Sequence, residues 1–213
     1  MIRLIGRLNL VSGGEISHLW DANAYLITGD EPVLIDCGGS EGYPSLKSNL
    51  RRLGYEPGDV RKVVATHGHW DHLSATARIR EESDALLLVH AADKEQVETG
   101  DPDLTVSFLY DRPFPPAEVN GLLEDGGVFP AGGYRFHVIH TPGAQSRVGL
   151  YLGGDRGIEG LDRERCALGW VPSQDTLGPR RLVDLARQAA RDGLRRYDVR
   201  ARTARAHPRR RVE

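Results

Sequence analysis

The chain has 213 residues, of which 39% are hydrophobic and 27% charged, a composition that is typical of a folded globular domain and excludes long disordered tracts and fibrous repeats. No stretch reaches the roughly 20 consecutive apolar residues of a membrane helix, and the N-terminus lacks the apolar core of a signal peptide, so we expect a soluble, cytoplasmic protein. The formal net charge is −2, although residues 180–213 contain twelve arginines against four acidic residues.

The first half of the chain alternates between strand and helix patterns. Apolar runs over 23–28 and 32–36 flank a polar turn and predict a hairpin. Leucines at helical spacing over 43–53, followed by Gly54, predict a helix with a glycine after its end. The same reasoning predicts a strand over 60–65, a helix over 73–82, a strand over 85–90, a helix over 93–99 and a proline-containing loop over 101–116.

The second half contains weaker patterns. Residues 134–140 alternate as a strand and stop at the turn Thr141-Pro142-Gly143. Residues 148–152, the turn 153–156 and a weak strand near Ile158 predict a second hairpin. Residues 181–191 predict a helix with one apolar face. No repeat or linker divides the chain, so we expect a single α/β (α+β) domain over 1–213.

Two cysteines, Cys37 and Cys166, are too few for a disulfide framework and fit a reducing compartment. The arginines near the C-terminus follow no sharp pattern, and only one aromatic residue, Tyr197, lies among them. Nucleic acid is therefore not the expected partner.

Four metal-ligand residues lie within six positions, immediately after the predicted strand over 60–65. They are His67, His69, Asp71 and His72. Alternate residues of an extended segment point the same way, so His67 and His69 can bind one ion, and Asp71 with His72 can bind a second ion nearby. Imidazole and carboxylate ligands suit zinc, iron or manganese. The alternative, histidines that serve only the core or the surface, is typical of isolated residues and does not fit so dense a group.

Residues 66–72 match in full the T-H-x-H-x-D-H motif of the metallo-β-lactamase fold hydrolases, and the chain resembles this family. Similar segments occur at 23–26, 34–38 and 140–143. Residues 108–110 and 112–116 resemble the hydroxyacylglutathione hydrolase (glyoxalase II)-like branch. The resemblance implies a four-layer αβ/βα sandwich with two zinc ions at one edge, and it weakens after about residue 155, where the arginine-rich part begins.

The resemblance also implies a ligand for each site. His67 and His69 match the first site, and Asp71 and His72 match the second. Asp162 is the expected bridging carboxylate, with Asp155 as the alternative, and His207 is the expected last histidine. Ala144 stands where the family has a metal-binding histidine, so a single ion and reduced activity are also compatible with this sequence.

The implied function is hydrolysis of a thioester or ester, such as an acylglutathione, by a metal-bound hydroxide. Asp71 would orient the water, Asp36 would fix the loop that bears the ligands, and Trp70 would either line the pocket or pack. A lactonase, a nuclease that enlists the basic C-terminus and a non-catalytic member with a partial metal site remain alternatives. A small molecule is the expected partner, a membrane is not, and the oligomeric state stays open.

Overall fold

The computed structural model describes residues 1–131, 133–140, 148–153 and 166–168. Eleven strands in these ranges form two sheets. The first sheet has seven strands in chain order: β1 Ile2–Ile5, β2 Leu8–Ser12, β3 Ala24–Ile27, β4 Val33–Ile35, β5 Lys62–Val64, β6 Leu86–His90 and β7 Gly121–Leu123. The second sheet has four strands in the order β11-β10-β9-β8: β8 Val128–Ala131, β9 Tyr134–His140, β10 Val148–Gly153 and β11 Cys166–Leu168.

The first sheet is antiparallel in one half and parallel in the other. Strands β1 to β4 pair antiparallel, and β4 to β7 pair parallel. Parallel neighbours need a crossover connection, usually a helix. Here α1 (Tyr43–Arg52) lies between β4 and β5, α2 (Trp70–Leu73) and α3 (Thr76–Glu82) between β5 and β6, and α4 (Lys94–Thr99) between β6 and β7. The segments that leave β4, β5 and β6 therefore start at one edge of the sheet.

Two apolar clusters cover the two faces of the first sheet. On one face, Leu46 and Leu50 of α1 and Ile79 of α3 pack against Leu26 and Leu34 of the sheet, all of them fully buried. On the other face, a cluster joins this sheet to the second one. The second sheet contributes Ala131, Phe136 and Val138 to that cluster. The described residues thus form three layers, helices on sheet on sheet, in agreement with the α/β sandwich that the resemblance implied.

Most predicted elements are confirmed, with shifted ends. The first hairpin is β3 with β4, and the helix predicted over 43–53 is α1. The strands predicted over 60–65, 85–90 and 134–140 are β5, β6 and β9, and the strand predicted over 148–152 is β10. The helix predicted over 93–99 is α4, which begins one residue later after a 3₁₀ turn.

The helix predicted over 73–82 is wrong in its start and in its continuity. Helix α2 begins at Trp70, and the helical run is interrupted before α3 begins at Thr76. The reason lies in bonds to the segment after β4: the Ala75 backbone N–H donates to Gly38 O at 3.2 Å, and Ser40 donates through its hydroxyl to Ser74 O at 2.8 Å. These bonds take peptide groups away from the helix.

The predicted second hairpin paired the strand over 148–152 with a strand near Ile158, and the observed partner strand differs. β10 pairs antiparallel with β11, which lies at Cys166–Leu168. Ile158 and the helix predicted over 181–191 lie outside the described residues, as does most of the arginine-rich part. In the described ranges, no helix has the length and apolar content needed to cross a lipid bilayer.

Candidate metal centre

The ligand-bearing turn, residues 66–72, leaves the end of β5. His69 has an extended backbone and is the N-cap residue of α2, which begins at Trp70. The ring centroids of His67 and His69 are 4.4 Å apart, and those of His67 and His72 are 4.0 Å apart. His67 and His72 are buried. The turn therefore gathers three imidazole rings.

Asp36, directly after β4, organises this turn from the neighbouring strand. Its Oδ1 accepts a hydrogen bond from the Thr66 backbone N–H at 2.8 Å. Its Oδ2 accepts from the Thr66 hydroxyl at 2.6 Å and lies 2.8 Å from His72 Nδ1. The prediction that Asp36 fixes the ligand-bearing loop is thereby confirmed.

These bonds determine which nitrogen each histidine presents. An ionised carboxylate only accepts hydrogen bonds, so His72 Nδ1 donates to Asp36. The Thr66 hydroxyl gives its single hydrogen to Asp36 and can only accept from His67 Nδ1, 3.2 Å away. Both rings are therefore held in the tautomer that leaves the Nε2 lone pair available, as happens where a carboxylate supports a metal-binding histidine.

The histidine Nε2 atoms and the Asp71 carboxylate have the chemistry of ligands for a divalent cation. His67 Nε2 and His69 Nε2 are buried and make no hydrogen bond within the described residues, although both rings have other contacts. His72 Nε2 lies 3.7 Å from Asp71 Oδ2, so these two atoms can share an ion. Buried nitrogen lone pairs beside a carboxylate are the donor set that zinc, iron and manganese accept.

The loop after β4 holds the ligand-bearing turn in place through backbone hydrogen bonds. The backbone N–H groups of Cys37 and Gly38 both donate to His72 O, at 2.8 and 3.0 Å. Asp21, buried after β2, accepts from the Gly39 backbone N–H at 3.0 Å and from the Ser12 hydroxyl. Burial raises the pKa of Asp21. The loop after β4 is thus fixed between Asp21 and the ligand-bearing turn.

Helix α4 also contacts the turn at Gly68, the residue between His67 and His69. A Cβ added at Gly68 would come within 2.1 Å of Gln96 Nε2, so α4 packs directly against the turn. Gln96 Nε2 donates to Asp93 Oδ1 at 2.9 Å. Asp93 is 2% exposed, its Oδ2 has no hydrogen-bond partner in the described ranges, and burial raises its pKa to about 7.

The loop over 101–116 borders the turn on its other side. Trp70 donates from its backbone N–H to Thr105 O at 2.9 Å and from Nε1 to Pro113 O at 3.1 Å. Its indole stacks on Tyr110, with centroids 4.6 Å apart and an angle of 23° between the planes. Trp70 is fully buried. Of the two interpretations given for Trp70, packing is therefore the correct one.

Tyr110 lies beside the ligand-bearing turn, where its ring stacks on Trp70. Burial, followed by the negative charge of Asp71, raises the pKa of Tyr110. The edge of Trp20 lies against the same ring, at 5.9 Å between centroids. An aromatic cluster of Trp20, Trp70 and Tyr110 thus borders the turn.

The other predicted site residues are four positions after residue 140. Asp162 and its alternative Asp155, His207 and Ala144 all lie outside the described residues. Within the part of the chain that is described, no group of three or more His, Cys, Asp or Glu side chains is arranged to hold an ion unaided. The structure thus brings together His67, His69, Asp71 and His72, and the completion of the ligand set stays a prediction.

Sequence reasoning missed Tyr110, Asp93 and Gln96 as neighbours of the turn. Tyr110 belongs to a segment that was noted only for its resemblance, and no spacing rule relates it to Trp70. The one available signal for Gln96 was Gly68, because a glycine between two candidate ligands indicates close approach by another part of the chain.

Comparisons with known proteins identify the same region. The family model described as "Metallo-beta-lactamase superfamily" matches residues 19–158. The probable metallo-hydrolase MJ0888 of Methanocaldococcus jannaschii is 32% identical over 125 residues, which cover 58% of this chain and 58% of that protein. The probable metallo-hydrolase YqgX of Bacillus subtilis is 28% identical over 123 residues, which cover 57% of this chain and 56% of that protein. The chain thus matches less than two thirds of the length of either relative.

Solved structures agree on the architecture. The crystal structure of the metallo-beta-lactamase GOB-18 from Elizabethkingia meningoseptica superposes with a TM-score of 0.68 at 23% identity, covering 90% of this chain and 68% of that one. The subclass B3 metallo-beta-lactamase BJP-1 of Bradyrhizobium japonicum gives a TM-score of 0.66 at 22% identity, covering 88% and 70%. At this level of identity the agreement concerns the fold.

Proposed function

Because the chain belongs to the metallo-beta-lactamase superfamily, we propose that it is a metal-dependent hydrolase that cleaves a thioester or ester. The observation that supports this proposal is the hydrogen-bonded path from Asp36 through Thr66, which leaves Nε2 of His67 and His72 available for a cation. Two relatives described as probable metallo-hydrolases support the same reaction class.

The ions would be held by residues of the turn and by the C-terminal part of the chain. His67 and His69 would bind the first ion, and Asp71 and His72 the second. Asp162 and His207 are proposed to complete the set. Zinc is the proposed metal, with iron or manganese as alternatives, and Ala144 makes a single ion compatible with the sequence. When bound, a divalent ion would supply an activated water at neutral pH and polarise the substrate carbonyl.

The chain itself would orient and protect this chemistry. Asp71 has two carboxylate oxygens that accept hydrogen bonds. It can therefore accept a hydrogen bond from an attacking water and orient it while it remains beside His72. The buried rings of His67 and His72 exclude bulk water from the inner side of the site. A low-dielectric wall strengthens the attraction between a cation and a developing oxyanion.

An acylglutathione-like thioester is the proposed substrate class. The support is the resemblance of residues 108–116, which border the ligand-bearing turn through Trp70, to the glyoxalase II-like branch. Lactones share the chemistry of an attacked carbonyl and belong in the same screen.

The test is metal content per chain by elemental analysis, combined with hydrolysis of thioesters and lactones. Wild-type protein from zinc-supplemented cultures is expected to contain one or two ions and to hydrolyse at least one thioester. His69→Asn is expected to lose both properties, and His18→Asn, a histidine outside the turn, is expected to keep them. Protein without bound metal, or equal metal content in both variants, would reject the proposal.

A further inference from the structure

Two buried aspartates flank the ligand-bearing turn, one after each strand that neighbours β5. Strand β5, which leads into the turn, pairs in parallel with β4 on one side and with β6 on the other. Asp36 directly follows β4, and Asp93 ends the 3₁₀ turn Ala91–Asp93 that follows β6. Both aspartates are buried. Asp36 is bonded to the turn itself, which leaves the role of Asp93 to be explained.

Asp93 is the N-cap residue of α4 and does not cap it. Aspartate in this position usually accepts a hydrogen bond from a backbone N–H of the first helical turn, but within the described residues the Asp93 side chain makes no such bond. Its Oδ1 accepts from Gln96 Nε2 at 2.9 Å, and its Oδ2 has no hydrogen-bond partner in that part of the chain. Burying a carboxyl group with one partner costs free energy, and such departures are expected mainly at functional sites. The carboxyl group therefore serves the contact with Gln96 and not the end of its helix.

Gln96 extends this contact to the backbone between two candidate ligands. Its Nε2, Cδ and Cγ atoms lie 2.1, 2.7 and 2.8 Å from the place that a Cβ would take at Gly68. A side chain at position 68 would thus have to displace Gln96. The Gln96 side chain packs directly on the Gly68 backbone, with His67 on one side of that glycine and His69 on the other. The hydrogen bond to Asp93 fixes the amide in this position.

We propose that Asp93 and Gln96 are positioning residues for the first ion. They support the backbone between its two ligands, His67 and His69, from the side of the turn opposite Asp36. Ligand atoms must be held to within about 0.5 Å of their working geometry, by side chains that are themselves locked by packing and hydrogen bonds. Gln96, held by Asp93, meets that description. The inference rests on the proposed function, since it concerns an ion at the two histidines.

The test is the affinity for Co²⁺, measured by competition with a chromophoric chelator and by the visible absorption of the bound ion. Gln96→Ala removes the side chain behind Gly68 and alters no candidate ligand. Loss of a residue that supports a metal ligand typically weakens metal binding by about 10- to 100-fold. We expect a loss in this range for one ion, together with a changed Co²⁺ spectrum, because the two histidines are no longer held in one geometry.

Glu95→Ala is the matched control. It removes an exposed side chain from the same helix, one residue away from Gln96. This variant is expected to keep the wild-type Kd and spectrum. Urea unfolding of each variant in the presence of chelator checks that the fold is intact.

Variants of Asp93 test whether it acts through Gln96. Asp93→Ala should weaken Co²⁺ binding in the wild-type background and add little in a Gln96→Ala background. Asp93→Asn keeps an acceptor oxygen for the Gln96 amide and should bind Co²⁺ more tightly than Asp93→Ala.

Three results would overturn the inference and leave the proposed function intact. They are a wild-type Kd for Gln96→Ala, a full additional loss in the double variant, and equal Kd values for Asp93→Asn and Asp93→Ala. Wild-type protein that binds no Co²⁺ would overturn the proposed function and the inference with it.

Discussion

Asp36 lies at the start of a series of hydrogen bonds that ends at two histidine rings. Its φ of 55° is in the left-handed region, where Asn and Asp are the residues that occur most readily besides glycine. Asp36→Asn therefore keeps the backbone conformation and the acceptor for the Thr66 N–H. It replaces the other oxygen, which accepts from Thr66 and His72, by an NH₂ donor.

We expect Asp36→Asn to fold and to lose metal affinity. An NH₂ group in that place donates to His72 Nδ1, so the ring proton moves to Nε2 and blocks the atom that would bind the ion. The expected loss is about 10- to 100-fold, measured by competition with a chelator. Asp30→Asn, in the exposed turn between β3 and β4, is the control. Metal affinity equal in the two variants would contradict the assigned tautomers.

A second prediction concerns Asp93, whose pKa burial raises from 3.8 to about 7. Because the folded state holds this proton more tightly than the unfolded state, the folded protein is favoured at low pH and loses stability as pH rises from about 4 to about 7. Asp93→Asn removes the charge, so the variant should become more stable than wild type above pH 7. The gain is on the order of 1 to 4 kcal/mol, at 1.36 kcal/mol per unit of pKa difference.

The measurement is urea unfolding at pH 5 and pH 8 in the presence of chelator. The difference between Asp93→Asn and wild type should be larger at pH 8 than at pH 5, because at pH 5 only part of the wild-type stability has been lost. Asp84→Asn, in an exposed position before β6, serves as the control. A difference that does not change with pH would show that Asp93 does not titrate in this range.

At the scale of elements, α4 determines how closely the helical layer approaches the ligand-bearing turn. Gly68→Ala places a methyl group 2.1 Å from Gln96 Nε2 and less than 3 Å from two further atoms of that side chain. We expect destabilisation of about 1 to 3 kcal/mol, because Gln96 must leave its bond to Asp93. Chemical unfolding measures the change.

The cause can be isolated by rescue. Gln96→Ala in the Gly68→Ala background removes the obstructing side chain and should recover most of the lost stability. Gly14→Ala, where an added Cβ meets only Leu19 O at 3.5 Å, should cost little. If the double variant does not recover stability, the loss in Gly68→Ala comes from the backbone at residue 68 and not from the contact with Gln96.

The elements predicted from the sequence are those with strong local periodicity. α1 and the hairpin of β3 and β4 have clear apolar spacing and were confirmed. Strands β1, β2, β7, β8 and β11 were not predicted, and each of them depends on pairing with a neighbouring strand. The break between α2 and α3 comes from bonds to Gly38 and Ser40, which local spacing cannot reveal.

The candidate site divides in the same way. The four ligand-type residues of the turn were found because they are adjacent in sequence. The residues that contact the turn are distant: Asp36 and His72 are 36 residues apart, and Tyr110, which stacks on Trp70, follows it only after two further helices and a strand. Tertiary structure alone brings these pairs together, so one sequence without relatives predicts the ligands better than it predicts what holds them.

At the scale of the whole molecule, the proposed ions should couple to global stability. A ligand that binds the folded chain and not the unfolded chain stabilises it by about 2.7 kcal/mol at a free concentration 100 times its Kd. We therefore expect the Tm to rise with zinc concentration and to fall after chelation. The Tm of the His69→Asn variant should respond much less. A wild-type Tm that is independent of zinc would contradict metal binding to the folded state.

Cys37 gives the turn a built-in kinetic probe. Its thiol is buried, burial raises its pKa, and its backbone N–H bonds to His72 O. Since thiolates are the reactive species, this cysteine can be alkylated only while the segment after β4 is transiently open. In a Cys166→Ser background, the alkylation rate of Cys37 therefore measures how often the ligand-bearing turn separates from the strand beside it.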